Sequence, residues 1–338
     1  MKHILQSMLG AALLWSTTAM PLAAQQLDTL RWGNIAAAAL SHMPSVILEL
    51  DPEIAARHNL AVEIVDFRGG STNCIAALLS KTVDICQNGV SSGMHAIAEG
   101  ADLQAFAIIS GQYVEIVLSD DAVKRVGVGP EAPVQQRLAA LKGLEIASGP
   151  PSTTIYYMLQ GMLEQANMDV SELNMRVLVD PVAMVEGVRN DYLDGAMWAI
   201  GSLGPTLADG SGVRYLLMSR DFPEIAHYPA VAAFADAGWL RDNPDLARRA
   251  RAAVSDAIKA AKQDPARYSK MLKDAYQPEL AQEIWDDAFE QALAIYIEDV
   301  NGTKAGWDFW LDRMAEDTGK DYSNVSFERA VWEEAQSK

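Results

Sequence analysis

The residues around Ser91 come nearest to a catalytic motif in this sequence. Residues 89–93 read GVSSG and match GxSxG, in which a serine on a strand-to-helix turn acts as a nucleophile. A hydrolase of that kind also needs an acid and then a histidine later in the chain. Only His95 and His227 follow Ser91, and nothing else marks either of them as a base. Because small residues at such a turn readily produce the pattern, the sequence favours an ordinary turn.

Histidine, cysteine and glycine patterns do not indicate a metal or a cofactor. The chain has five His and two Cys, without an HExxH sequence or a His pair at metal-ligand spacing. No P-loop or GxGxxG sequence opens a helix. His42 stands in the first turn after a predicted strand, so it could face a cleft, whereas His58, His95 and His227 suit surface or packing positions. We therefore expect no metal and no cofactor.

Hydroxyl-bearing residues recur at predicted helix starts, where they could bind a polar ligand. The first turn of an α-helix presents N–H groups without partners in the helix and the positive end of its dipole. Each position alone suits a helix cap, but three of them on facing lobes favour a ligand cleft. The three positions are Ser71-Thr72, Asn88-Gly89 with Ser91, and Ser152-Thr153-Thr154.

Aromatic residues near these positions could supply the apolar walls of such a cleft. Trp198 ends a short predicted strand, and Tyr113, Tyr156 and Tyr228 are the other candidates. For each of them taken singly, packing in the core is about as good an interpretation.

A predicted βαβ unit over residues 62–93 would position the first two helix starts. A β-rich run ends at Gly69-Gly70, and Ser71 or Thr72 is then the predicted N-cap of a helix with apolar residues at helical spacing. A second strand begins near Val83 and stops at Asn88-Gly89. Because parallel strands joined by a right-handed crossover end at one edge of the sheet, both glycine turns would lie where open α/β sheets bind ligands.

The two cysteines, Cys74 and Cys86, both lie in this unit. Cys74 falls in the first turn of the helix and Cys86 near the end of the next strand, so their side chains could meet. A disulfide and two separate buried thiols are equally good interpretations.

A second βα series after Asp120 repeats the first and predicts a second lobe. Strands near residues 144–147, 175–178 and 195–198 alternate with helices near 155–166 and 181–189. The chain then returns near residue 222 and is helical from residue 243 onward. We predict an α/β protein with a first lobe of residues 25–110 plus 225–338, including the C-terminal helices, and a second lobe of residues 111–224.

The first 24 residues have the composition of an export signal. Lys2 precedes a Leu- and Ala-rich stretch, and Pro21–Ala24 offers a small-residue cleavage site. Polar residues interrupt this stretch, which argues against a membrane anchor. We therefore predict an exported protein whose signal is cleaved near Ala24. The net charge of −18 argues against nucleic acid and anionic membranes as partners.

Several short motifs resemble those of the periplasmic substrate-binding proteins of ABC transporters. The resemblance is to the group that binds nitrate, sulfonates, taurine and thiamine-pyrimidine precursors. It rests on the GGS turn at Gly69-Gly70-Ser71, the helix-to-strand step at Ala77–Ile85, the LKG of residues 141–143, and the LDGA of residues 193–196. The motifs depart from the group's pattern at Lys81 and Asp191, where Gly is usual.

This resemblance implies a type II-like fold of two α/β lobes joined by two crossovers, near Gly111-Gln112 and Phe222-Pro223. A ligand would bind between the lobes and be enclosed by hinge closure. The protein would be a monomer that delivers its ligand to an ABC permease. Combined with the aromatic candidates, the predicted ligand contacts are Asn34, Ser41, His42, Gly70, Ser71, Thr72, Asn88, Gly89, Gln112, Tyr113, Ser152, Thr153 and Trp198.

Three functions remain in competition at this point. The favoured one is a transport receptor for a small organic molecule with one anionic or strongly polar group. A receptor that feeds a membrane sensor would have the same mature sequence features. An enzyme is disfavoured, because the hydrolase version rests on Ser91 alone, and the eukaryotic pyrimidine-synthesis relatives need a Cys-rich motif that this chain does not have.

Overall fold

The computed structural model describes residues 26–68 and 70–337. The predicted export signal and Gly69 lie outside the described residues. The first lobe contains a five-stranded mixed sheet in the order β2-β1-β3-β10-β4. Its strands are β1 (Asp28–Asn34), β2 (Leu60–Asp66), β3 (Ile85–Gly89), β4 (Leu103–Ser110) and β10 (Val231–Asp236).

In this sheet, β1 lies between β2 and β3 and is parallel to both. The predicted βαβ unit is therefore present, but its two strands are separated by the first strand of the chain. Strand β10 returns from the second lobe and pairs antiparallel with both β3 and β4. Four helices connect the strands: α1 (Met43–Leu50), α2 (Pro52–Arg57), α3 (Ser71–Leu79) and α4 (Val90–Ala98).

The start of α3 differs from the prediction. Its N-cap is Gly70, and no side chain caps the helix. Ser71 and Thr72 are instead its first two residues, so the prediction that one of them is the N-cap is wrong.

The structure joins Cys74 of α3 to Cys86 of β3 in a disulfide. Both cysteines are fully buried. Closing this short loop restricts the unfolded chain and contributes on the order of 3 kcal/mol to stability. The bond also fixes the first turn of α3 against the beginning of β3, because Cys86 is the second residue of that strand and not near its end as predicted.

The second lobe has its own five-stranded mixed sheet, in the order β7-β6-β8-β5-β9. Its strands are β5 (Val114–Ser119), β6 (Glu145–Ser148), β7 (Asn174–Val177), β8 (Gly195–Ala199) and β9 (Gly212–Leu217). Its helices are α5 (Asp120–Val126), α6 (Val134–Ala139), α7 (Thr154–Glu164), α8 (Pro181–Arg189), α9 (Gly204–Ala208) and α10 (Met218–Asp221). The chain crosses between the two sheets at residues 111–113 and 222–230, so both predicted crossovers are present.

The C-terminal helices cover both lobes. They are α11 (Ala237–Asp242), α12 (Pro244–Gln263), α13 (Pro265–Tyr276), α14 (Gln282–Ile295), α15 (Lys304–Thr318) and α16 (Phe327–Ala330). Helix α12 packs on α1 and α2 of the first lobe, whereas α14 contacts α9 and α15 contacts α7 of the second. None of the helices in the described part of the chain has the length and apolar character needed to cross a bilayer.

Candidate functional site

A cavity of about 330 Å³ lies between the two lobes. Its walls follow the carboxyl ends of β1 and β3 in one sheet and of β6, β7 and β8 in the other. This is the edge at which open α/β sheets bind ligands. Eight of the predicted contacts line the cavity, namely Ser41, His42, Ser71, Asn88, Gly89, Tyr113, Thr153 and Trp198.

His42 is a buried polar side chain on this wall. It ends a 3₁₀ turn, Leu40–His42, and is only 4% exposed. Its Nδ1 lies 3.0 Å from the Ser41 hydroxyl, while its Nε2 has no hydrogen-bond partner within the described residues. Burial lowers the pKa of the His42 imidazole to about 3. The ring is therefore neutral at physiological pH, and its Nε2 is enclosed by protein atoms.

Asn88 positions the two helix starts of the first lobe. Its amide nitrogen donates to the Ser71 carbonyl at 3.1 Å, and its carbonyl oxygen accepts from the Gly89 N–H at 2.8 Å. The side chain thus ties the first turn of α3 to the end of β3. Both ends of this amide are occupied by the protein.

Thr153 and Thr154 organise the wall of the second lobe. Thr153 is the N-cap of α7 and accepts from the Tyr156 N–H, and its hydroxyl donates to the Pro150 carbonyl at 2.7 Å. The Thr154 hydroxyl lies 2.7 Å from the Ser91 hydroxyl of the first lobe. This buried hydrogen bond joins the two lobes directly.

The hydrogen bond between Ser91 and Thr154 argues against Ser91 as the nucleophile of a hydrolase. Ser91 is 1% exposed, and its hydroxyl is paired with another hydroxyl, which cannot serve as a general base. His95 is paired instead with Tyr322, at 3.0 Å from Nδ1 to the phenol oxygen. The arrangement around Ser91 links the lobes and does not form a Ser–His pair.

Five predicted contacts do not line the cavity, and two of them hold backbone in place. Asn34 is fully buried and donates to the His42 carbonyl and the Ser45 hydroxyl, both at 3.1 Å, so it supports the turn that carries His42. Gln112 lies in the first crossover, and its amide donates to the Tyr228 carbonyl in the second crossover at 3.4 Å. Both residues act on the site through the backbone.

Gly70, Thr72 and Ser152 lie outside the cavity for different reasons. Gly70 is the N-cap of α3, and Thr72 is exposed on the outer side of the same helix. The Ser152 hydroxyl donates to Asp317 of α15 at 2.6 Å, which draws it away from the cavity. Arg68, a basic residue shortly before α3, is exposed and does not line the cavity either.

The apolar residues of the wall were not among the predicted contacts. Ile35, Ala36 and Ala39 follow β1, and Ile155 and Val179 face them from the second lobe. The small-residue stretch after β1 was the available signal. Only polar and aromatic side chains were predicted as ligand contacts, because the sequence does not distinguish apolar residues that line a cavity from apolar residues that belong to the core.

Within the described residues, neither a second groove nor a metal cluster offers an alternative ligand site between the lobes. A larger open groove of about 680 Å³ runs along β7 and α8, but only the second lobe lines it. Among the described His, Cys, Asp and Glu side chains, no three come together in a way that could hold a metal ion.

Structural comparison defines the class of protein. The chain has the two-lobed fold of periplasmic binding proteins. It is similar to the periplasmic aliphatic sulphonate binding protein SsuA of Escherichia coli, with a TM-score of 0.71 and 15% identity over 92% of this chain and 94% of that one. It is also similar to the periplasmic nitrate-binding protein NrtA of Synechocystis, with a TM-score of 0.55 and 18% identity over 79% and 69% of the two chains.

A third solved structure shares the fold. The ligand binding component of an ABC-type import system of Staphylococcus aureus matches with a TM-score of 0.64 and 12% identity, over 90% of this chain and 96% of that one. Residues 34–275 match the NMT1-like family, and the chain belongs to that family. No curated protein sequence matches it.

Proposed function

We propose that this protein is an extracytoplasmic solute-binding protein that captures a small polar or anionic organic molecule between its lobes and delivers it to an ABC permease. The observation that carries the proposal is the cavity at the carboxyl ends of both sheets, with walls from both lobes. The solved structures that share the fold include a periplasmic sulphonate binding protein and the ligand binding component of an ABC-type import system, which supports the proposal.

Binding would be coupled to hinge closure. Residues 25–110 with 225–338 and residues 111–224 would move as two bodies about the crossovers at residues 111–113 and 222–230. The hydrogen bond from Gln112 to Tyr228 joins these crossovers and would keep them together as they flex. Closure brings the Ser91 and Thr154 hydroxyls into contact and excludes water from the ligand.

The cavity supports binding without chemistry. Among the described residues that line it, the Ser41 hydroxyl contacts Nδ1 of His42, but burial lowers the pKa of that imidazole to about 3, which makes it a poor general base. We therefore propose a receptor that is not an enzyme. The first 24 residues would direct the chain to the periplasm and be cleaved near Ala24, and the mature protein would act as a monomer.

The test of this proposal is ligand binding by the mature protein and by a Trp198→Ala variant. A panel of sulfonates, nitrate, aromatic acids, amino acids and pyrimidines is screened by thermal shift, and hits are measured by calorimetry. We expect an affinity of roughly micromolar or better, about −8 kcal/mol. Because Trp198 is only half-buried and lines the cavity, Trp198→Ala should weaken binding by about tenfold or more without unfolding the protein.

Trp239→Ala is the matched control. Trp239 is similarly half-buried but lies on α11, away from the cavity. The Trp239→Ala substitution should leave the affinity for the ligand unchanged. Equal losses in both variants, or no loss in Trp198→Ala, would contradict the assignment of the cavity as the ligand site.

A further inference from the structure

We propose that the disulfide between Cys74 and Cys86 positions one wall of the ligand cavity, so that this protein binds its ligand tightly only after the bond has formed. The inference rests on the proposed function and adds a condition to it, namely the oxidation state of the two cysteines. Its basis is the way in which helix α3, which carries Cys74, is attached to the rest of the first lobe.

The start of α3 is part of the cavity wall. Its first residue, Ser71, lines the cavity, and the Ser71 carbonyl accepts at 3.1 Å from the amide of Asn88, which lines the cavity too. The N–H of Cys74 donates to the Gly70 carbonyl at 3.0 Å, so the three N–H groups before it have no partner within the helix. A shift of this turn therefore changes the polar surface that the first lobe presents to a ligand.

Packing alone holds α3 weakly. The helix has nine residues, and only Cys74 and Leu78 are buried. Among the described residues, no side chain caps its N-terminus, and Leu79 in its last turn is 49% exposed. Helices this short are marginal unless tertiary contacts stabilise them. One of the two buried contacts of α3 is made by the disulfide cysteine itself.

The disulfide fixes the first turn of α3 to the interior of the sheet. It joins Cys74 to Cys86, the second residue of β3, and β3 lies between β1 and β10. The space around the bond is limited, because a Cβ built on Gly33 of β1 would lie 3.1 Å from the Cys74 sulfur. Two thiol sulfurs cannot stay at bonding distance, and in a close-packed interior they separate by moving the segment that is held least. That segment is the first turn of α3.

Formation of the bond links ligand binding to export. The two thiols lose two protons and two electrons by exchange with another disulfide, which is reduced to two thiols. Cytosolic thiols stay reduced, whereas exported proteins meet oxidising conditions. Because both cysteines are fully buried, the bond is set as the chain folds and is protected afterwards. The exported chain therefore acquires a rigid ligand site that the reduced chain does not have.

The first experiment measures hydrogen–deuterium exchange of the mature protein without ligand. Wild type refolded without dithiothreitol is compared with wild type refolded in its presence and with the Cys74→Ala/Cys86→Ala double variant. We expect residues 70–79 to exchange faster in the reduced wild type and in the double variant. Dithiothreitol should have no further effect on the double variant, which has no thiol. If that variant does not fold, Cys74→Ala/Cys86→Val fills more of the space and replaces it.

The second experiment titrates the same proteins with a yeast extract filtered to retain molecules below a few kilodaltons. The readout is the extract concentration that gives half-maximal protection of residues 149–155 in the second lobe. If the first turn of α3 is in place about a tenth of the time, this concentration rises about tenfold in the reduced protein and in the double variant. Val254→Ala is the control, because it removes buried hydrocarbon from α12 and lowers global stability without touching α3.

The outcomes separate this inference from the proposed function. Equal half-maximal concentrations in oxidised and reduced wild type, or equal exchange of residues 70–79, would overturn the inference and leave the proposed function intact. A rise in Val254→Ala as large as that in the double variant would also overturn it, since global stability would then be the cause. If the extract protects no segment of the oxidised wild type, the proposed function fails and the inference fails with it.

Discussion

At the scale of single residues, His42 shows how a buried polar ring is held in a fixed position inside a protein. Asn34 holds the turn that carries it, and Ser41 occupies one of its two ring nitrogens. The other nitrogen is buried and has no partner among the described residues. The residue is therefore positioned before any ligand arrives, so that little ordering has to be done on binding.

The burial of His42 predicts a pH dependence of stability. Its folded pKa of about 3 lies below the unfolded value of 6.5, so the unfolded chain binds an extra proton between these two values. The stability that this group contributes is complete above pH 6.5 and is lost as the pH falls towards 3. At pH 5 the expected loss is about 2 kcal/mol relative to pH 7.5.

The measurement is urea unfolding of the wild type and of His42→Gln at both pH values. Groups that titrate in both proteins cancel in the comparison. The wild type should lose about 2 kcal/mol more than the variant between pH 7.5 and pH 5. Equal losses would show that His42 is not buried as a neutral ring.

Residue types at strand ends predicted much of this site, but their partners could not be predicted. Ser152 fits a helix start by every local rule, yet its hydroxyl binds Asp317, which is 165 positions away. The choice between a ligand contact and a protein contact depends on which distant side chain arrives there. The local sequence does not specify which distant side chain that is.

At the scale of elements, the contact between α7 and α15 joins the second lobe to the C-terminal region. The Ser152 hydroxyl and the Tyr157 phenol both donate to one oxygen of Asp317, at 2.6 and 3.1 Å. On the same two helices, Arg313 of α15 also pairs with Glu164 of α7. Helix α15 itself packs on α4 of the first lobe. The contact therefore stabilises the arrangement in which the lobes face each other.

Asp317→Ala should weaken ligand binding although Asp317 does not line the cavity. Removing two hydrogen bonds to a partly exposed carboxylate costs the closed arrangement about 1 kcal/mol, or roughly a fivefold rise in Kd. Calorimetry with a ligand found in the screen measures this change. Asp308→Ala is the control, because Asp308 on the same helix pairs only within it, with Lys304. Equal affinities in the two variants would show that this contact does not favour closure.

The positions of most elements followed from local signals. Pro44, Pro181 and Pro265 stand at the starts of helices, as the fixed φ of proline favours. The exception is α3, where two adjacent hydroxyl residues pointed to an N-cap and Gly70 takes that place instead. A hydroxyl near a helix start is a weak guide to the capping residue when a glycine precedes it.

At the scale of the whole molecule, the two lobes lie very close together at Gly89. A Cβ built on this residue would lie 2.6 Å from the Thr154 hydroxyl of the second lobe. The backbone of Gly89 has a φ of −61°, which any residue can adopt. The absence of a side chain there is therefore required by the facing lobe and not by the local backbone.

Gly89→Ala should hinder closure without unfolding either lobe. We expect weaker binding and a loss of the ligand-induced decrease in radius of gyration that the wild type shows by small-angle X-ray scattering. Gly129→Ala, where an added Cβ meets nothing within 4 Å, should behave as the wild type does. Normal binding and compaction by Gly89→Ala would mean that the lobes bind ligand in a more open arrangement.

The two-lobe architecture was predictable from the repeated βα series, whereas the sheet orders were not. Pairing of β10 with β3 and β4 joins segments more than 120 positions apart. Likewise, the contact of α14 with α9 places a C-terminal helix on the second lobe. These pairings are set by the packing of the complete chain, so local periodicity could not specify them.

Hydrogen–deuterium exchange of the mature protein, with and without unfractionated yeast extract of small molecules, tests most directly whether a ligand binds between the lobes. We predict simultaneous protection of residues 35–42 and 88–92 in the first lobe and of residues 149–155 and 198–199 in the second. The same segments should exchange normally in Trp198→Ala at the same extract concentration. Protection confined to one lobe, or located away from these segments, would contradict the account.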